Sequence, residues 1–251
     1  NVSGSPLIYK NDDATQIPAD VLLHHDRDIQ HPVDDSVVQC AGGATTTIRV
    51  ARGIGPLTLP CSAETPMIAV GGHQKVAPAL LSGDDLILFP HIGDMHEETS
   101  RIRFHESIQR IKQISQLTDC KLASDLHPDY FTHQFAETTH CDETIHCVQH
   151  HHAHVASAML EHDLLDQTVL GLAFDGTGFG TDGTIWGGEA LLATTASFQR
   201  SGHLRPFRLP GGEHAIKCPG RIADSLCFQL DAPPLTQSAT RYAIEHGPST
   251  T

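Results

Sequence analysis

The chain has 251 residues, 39% of them hydrophobic, enough to bury one large or two small cores and to exclude a disordered chain. Sixteen basic residues against thirty acidic ones give a formal charge of -14, which excludes a broad electrostatic grip on nucleic acid or an anionic membrane. No apolar run approaches the roughly 20 residues needed to cross a bilayer, and no charged-then-apolar segment opens the chain, so a soluble cytoplasmic protein is expected.

Taken in chain order, the opening NVSGSP reads like the inside of a loop, and the chain is expected to be a fragment. Short strand-type runs at 20–24, 36–40 and 48–52, with turn formers between them, predict a small and mostly β opening piece. Pro56, Pro60 and Pro66 suit a linker at 59–66, followed by strands at 67–70 and 86–89. Ile108, Ile111, Ile114 and Leu117 repeat at helical spacing and predict a surface helix. Strands at 121–124, 144–148 and 169–174 then alternate with helices at 130–138 and from the histidine run to about 161, which predicts an α/β domain with a layered sheet. A hairpin-like region at 185–204 and a helix after Gly211-Gly212 follow, and the last twenty residues carry little structural signal. Seven cysteines without CxxC spacing signal neither a zinc knuckle nor a disulfide framework, so reduced thiols are expected.

Two segments carry chemistry. In the run His150-His151-His152-Ala153-His154, His150 and His154 stand four residues apart, so on a helix both rings project from one face and can hold one ion. His151 and His152 then point elsewhere, and His91, His127 and His162 read as solvated or hydrogen-bonded structural residues. Two imidazoles leave a site incomplete, and Asp175, at the carboxyl end of the strand 169–174, is the candidate third ligand. That donor set suits a divalent metal, iron or zinc. The second segment, Phe174 to Glu189, places Gly176, Thr177, Gly178, Gly180 and Gly183 where free backbone N–H groups could converge on a phosphate, or form an ordinary hairpin. Asp182 reads as a metal or ribose contact, or equally as the turn residue its Asp-Gly neighbour suggests.

VQHHHAHVASAML at 148–160, LAFDGTGFGTDGTIWGGEALLA at 172–193, HIGD at 91–94, DLHPDY at 125–130 and LPGG at 209–212 together resemble the HypF carbamoyltransferases of nickel-iron hydrogenase maturation. The resemblance covers roughly residues 1 to 230. It implies the C-terminal end of a YrdC-like α/β domain at 1–58 and a linker at 59–66. Beyond these it implies a partial two-lobed domain similar to actin, heat-shock chaperones and sugar kinases (ASKHA), with its first lobe at 67–168 and a truncated second lobe at 169–251. NVSGSP, VDDSVV at 33–38 and RVARG at 49–53 resemble YrdC-like elements, which implies that Asn1, Ser3, Ser36 and Arg52 line a pocket for ATP and carbamate. Pro32, Val50 and Cys218 depart from the family pattern, which has Arg, Arg and Glu there.

In the later domain the resemblance implies that His150, His154 and Asp175 form a catalytic metal site and that the 176–183 loop binds the nucleotide phosphates. The activity it implies uses carbamoyl phosphate and ATP to make a carbamoyl-adenylate, whose carbamoyl group passes to a C-terminal cysteine of a HypE-type partner. The rival expectations are a small-molecule O-carbamoyltransferase of the same fold and a non-catalytic metal-binding remnant. The family's acylphosphatase and zinc-finger segments and the rest of the second lobe are not in this chain, so alone it is expected to be inactive.

Overall fold

A computed structural model of the chain describes residues 17–23, 27, 29–117, 120–139 and 145–233. It comprises two compact units, 1–148 and 149–251. Asn1 and Ser3 lie outside the described residues.

The first unit carries a hairpin of β1 (Val37–Ala41) and β2 (Ala44–Arg49), turned by Gly42 and Gly43 at φ 58 and 80. The strand expected at 48–52 thus lies earlier, where Thr45 to Thr47 supply β-branched partners for the Val-rich β1. The strand expected at 20–24 does not form among its described residues. Val21 and Leu23 are 85% and 97% exposed there, since a three-residue apolar run finds no strand to pair with.

The expected linker at 59–66 is instead part of β3 (Leu57–Ala69), a long strand antiparallel to β4 (Ala79–Leu88). Two features admit its prolines. The ladder shifts register between Pro60 and Ala63 and again before Met67, and β5 covers the other edge of β3 only at 67–69. A residue without an N–H is tolerated at such bulges and open edges.

Helix α1 (Glu98–Ser115) leads to β5 (Lys121–Asp125), and α2 (Phe131–Thr139) leads to β6 (His146–Val148). The sheet order is β4-β3-β5-β6, with β3, β5 and β6 parallel. Helix α1 starts ten residues before Ile108 because its polar opening also faces inward, burying Ser100, Arg103 and Phe104. Phe104 meets Phe131 and Phe135 edge to face at 5.7 and 5.0 Å. Around these rings Ile68, Val70, Leu80, Ile108, Ile111 and Leu122 close the core.

The second unit opens with α3 (His150–Glu161), followed by β7 (Val169–Ala173), β8 (Gly178–Phe179), β9 (Ile185–Trp186), β10 (Glu189–Ala193) and β11 (Phe198–His203). Two helices, α4 (Glu213–Lys217) and α5 (Pro219–Gln229), complete it. Strands β11-β10-β7 form an antiparallel sheet. Helix α3 packs on β7 and β10, its Val155 and Met159 joining Leu191, Ala193 and Trp186 in a second core. Gly171 permits this approach, since a Cβ there would stand 2.3 Å from Val155 Cγ2. The histidine helix therefore belongs with the unit that follows it rather than with the sheet before it. Among the described residues no helix is long and apolar enough to cross a membrane. The described cysteines, all but Cys141, are free thiols.

Candidate metal centre

Helix α3 begins directly at His150 because Gln149, in extended backbone, caps it: its side-chain oxygen accepts from the His152 amide at 2.9 Å. Starting the helix there puts His150 and His154 one turn apart on one face, with their Nε2 atoms 3.3 Å apart. Strand β7 ends at Ala173, and the chain then delivers Asp175, whose Oδ2 lies 3.0 Å from His150 Nε2.

One donor atom from each of His150, His154 and Asp175 lies within 4.8 Å of the others, the sole such group of His, Cys, Asp or Glu among the described residues. Two ligands each about 2.0–2.1 Å from a tetrahedral ion stand about 3.3 Å apart, so the His150–His154 and His150–Asp175 spacings suit a first-row divalent metal. His150 and Asp175 are part-exposed, which leaves room for further ligands. The hydrogen bond from His150 holds the Asp175 carboxyl below its ordinary range, with the charges of His150 and His154 acting in the same direction against desolvation. The carboxylate is therefore ionised and ready to ligate.

The two inner histidines do different work. His151 is fully buried, donates to the Asp175 carbonyl at 3.4 Å and accepts from the Gln149 side chain at 3.3 Å. Burial lowers its proton affinity, so it is neutral and ties α3 to the backbone of its carboxylate neighbour. His152 is buried against Phe198 and donates to the Thr194 carbonyl at 2.8 Å.

The glycine-rich segment is a tight hairpin, β8 to β9. The amides of Gly180 and Gly183, expected to face a phosphate, donate instead to Thr184 O at 2.8 Å and Gly180 O at 3.0 Å. Hairpin closure consumes the N–H groups that an open loop would present. Gly176 and Thr177, directly after Asp175, lie outside that ladder. Asp182 is the turn residue: its Oδ1 accepts from Thr184 N at 3.0 Å, Thr184 Oγ1 at 2.7 Å and Trp186 Nε1 at 2.9 Å. It is not part of the metal-ligand group.

Two of the glycines, Gly178 and Gly180, serve close approach. A Cβ at Gly178 would stand 2.6 Å from His151 Cε1, and one at Gly180 would stand 2.1 Å from Trp186 Nε1. Gly178→Ala is thus expected to push the hairpin off α3 and destabilise the chain by about 1–3 kcal/mol. Chemical denaturation at constant m-value checks it, and an unchanged midpoint would refute the packing role.

Asp182 sets an acid limit on the same hairpin. The Thr184 hydroxyl, first among its donors, lowers the Asp182 proton affinity below its ordinary value. A depressed carboxylate contributes stability that is complete above its unfolded-state value and is lost as pH falls through the folded one, hence below about pH 4. Trp186, the chain's single tryptophan, reports this by fluorescence, and Asp182→Asn is expected to remove that acid transition.

In the first unit, Ser36 accepts from Ala51 N at 2.9 Å and donates to Arg52 O at 3.0 Å, while Arg52 pairs with Asp35. The Ser36 hydroxyl is used in fastening this bridge, and the Arg52 side chain stays 70% exposed. His127 accepts from Asp129 N and stacks on Tyr130, as a structural histidine should. Sequence reasoning missed Gln149, which is not among the preferred capping residues. It also missed the pairing of buried Glu189 with Arg200, for which a cross-strand contact leaves no local signal.

Known proteins resemble this chain in sequence and fold. The family model of the HypF Kae1-like domain matches residues 62–161, and that of the second subdomain of the Kae1-like carbamoyltransferase domain matches 171–248. A carbamoyltransferase HypF of Synechocystis is 43% identical over 233 residues, covering 91% of this chain and 30% of that protein. One from Rhizobium leguminosarum is 41% identical over 229 residues, covering 88% and 29%. The crystal structure of full-length HypF in its phosphate- and nucleotide-bound form superposes with a TM-score of 0.84 at 34% identity, covering 98% of this chain and 34% of that one. The chain thus spans about a third or less of these relatives' length. It is a mixed α/β chain of the HypF family and carries that family's Kae1-like fold.

Proposed function

We propose that this chain supplies the metal and phosphate half of an ATP-dependent carbamoyl transfer, acting within the longer protein of its family. The observation that carries the reading is the convergence of His150, His154 and Asp175 into one open, part-exposed ligand set. Relatives that align along about nine-tenths of this chain bear the name carbamoyltransferase.

A divalent ion, iron or zinc, held by these three residues would supply Lewis-acid stabilisation of phosphate charge. On binding the ion, His150 and His154 would release their shared protons and offer ring nitrogens from one helix face, and the ionised Asp175 carboxylate would add the negative charge. His151 and Gln149 keep that carboxylate's backbone and the helix start in register. The Gly176 amide bonds the Asp175 carboxylate, so Thr177, outside the hairpin ladder, is the amide better placed to meet a phosphate beside Asp175. Exposed Arg52 would meet anionic substrate in the first unit. In the transfer itself the bond from the carbamoyl carbon to the adenylate oxygen breaks, AMP departs, and a thiolate of a HypE-type acceptor forms the new bond to carbon. The nucleophile comes from the partner, so no cysteine of this chain is required.

The test is AMP release from ATP in the full-length protein, with carbamoyl phosphate present or omitted and with or without an acceptor tail peptide. Carbamoyl-phosphate-dependent AMP that falls to background in Asp175→Asn supports the reading. Metal binding without AMP release would instead make this a metal-binding remnant.

A further inference from the structure

We propose that Cys218 is a modification site: a half-buried thiol, paired with His214, that forms a mixed disulfide with a small-molecule disulfide. Its Sγ lies 3.7 Å from His214 Nε2, within hydrogen-bonding reach for sulfur, and the pair is open to solvent. A nucleophile with a base inside hydrogen-bonding distance is the arrangement that lets a thiol attack an electrophile. The carbamoyl transfer takes its nucleophile from the partner protein, so Cys218 stands outside it.

The backbone holds the two side chains together. Cys218 ends α4 and opens α5, so the chain turns at the sulfur. Its amide donates to Ala215 O at 3.2 Å and its carbonyl accepts from Arg221 N at 2.9 Å, which fixes it from both sides. His214 is fixed in turn, its amide donating to Gly211 O at 3.1 Å. Gly211 and Gly212, at φ 92 and 57, make the turn into α4, and Arg221 Nη1 closes the connection by donating to Pro210 O at 3.2 Å. Although Cys218 caps α5, its sulfur makes no hydrogen bond to that helix's amides, which leaves the imidazole as its partner. The first turn of α5 carries no acidic side chain to oppose negative charge gathering on sulfur.

The imidazole sets this thiol apart. Cys40 meets the Thr45 hydroxyl at 3.5 Å, Cys120 is buried, and among the described residues no other thiol at the surface has an imidazole within hydrogen-bonding distance. The step balances with the disulfide as its one reagent. The Cys218 S–H proton passes to His214 Nε2 as the sulfur attacks one sulfur of the disulfide. A new S–S bond forms to the protein, the original S–S bond breaks, and the departing thiolate takes that proton from His214. The cysteine is oxidised, and half of the disulfide is reduced to a thiol.

The probe is dithiodipyridine, a neutral disulfide, added in limiting amount to the whole native chain. Rates are followed by the released thiopyridone, and the labelled cysteines are located by peptide mass spectrometry. Label is expected to collect at half-buried Cys218 ahead of the more exposed Cys40 and Cys147. His214→Gln should slow labelling of Cys218 about a hundredfold, the low end of what a positioned base contributes, and leave Cys40 and Cys147 unchanged. The proposal is overturned if label spreads over the three thiols in proportion to their exposure, or if His214→Gln labels Cys218 as fast as the parent chain does. Should His214→Gln fail to fold, the parent chain in denaturant decides. A preference for Cys218 that vanishes there supports the folded pairing, and one that persists overturns it.

Discussion

His150→Ala, His154→Ala and Asp175→Asn are each expected to abolish stoichiometric binding of iron or zinc, read as metal content after dialysis. The loss should exceed the 10–100-fold that disturbing an outer-shell contact costs, because a direct ligand is removed. With only three protein donors in the group, none has a substitute among the described residues. His152→Ala is the discriminating control. Its ring donates to Thr194 O and packs on Phe198, so it should retain metal and lose about 1–3 kcal/mol of stability. Equal metal loss in all four variants would mean a nonspecific histidine cluster.

Glu189→Ala is expected to cost about 3–5 kcal/mol of stability. Glu189 is 2% exposed, accepts from Arg200 at 2.6 and 2.9 Å and from Gly187 N at 3.1 Å. Removing it strands a guanidinium that also lies over the Trp186 ring at 4.1 Å and reaches Asp182 at 3.6 Å. The loss should therefore spread to the hairpin beside the metal centre and alter Trp186 fluorescence. Replacing both partners, Glu189→Leu with Arg200→Met, should recover much of the stability, since a matched apolar pair leaves no buried charge. A double variant as unstable as Glu189→Ala would show that the ion pair is not the source of the loss.

The candidate ligand set was legible because its elements are local. A helical i, i+4 pair is a spacing that sequence displays directly, and a carboxylate at a strand end is a position that periodicity locates. The glycine-rich segment was only half legible. Its glycines mark tight backbone, yet whether freed amides face a ligand or close a hairpin depends on what packs beside them. Here His151 and Trp186 do, Gly178 making room for the first and Gly180 for the second. The misread linker has a similar cause: prolines punctuate a sequence whatever lies alongside, and only the pairing with β4 shows that they occupy irregular positions of a strand.

Sequence by itself determined the alternating α/β order, the family and the two histidines of the candidate ligand set. These rest on spacing, composition and motif order, which are properties of the chain read in one dimension. Tertiary structure alone decided that Asp175 lies 3.0 Å from His150, that His151 and His152 are fasteners and that Asp182 belongs to a turn. It also decided that Glu189 is neutralised from a neighbouring strand, eleven residues on. The physical reason is common to all of these. Burial and hydrogen-bond satisfaction are set by groups distant in sequence, and a polar side chain's role is fixed by which of them reaches it first.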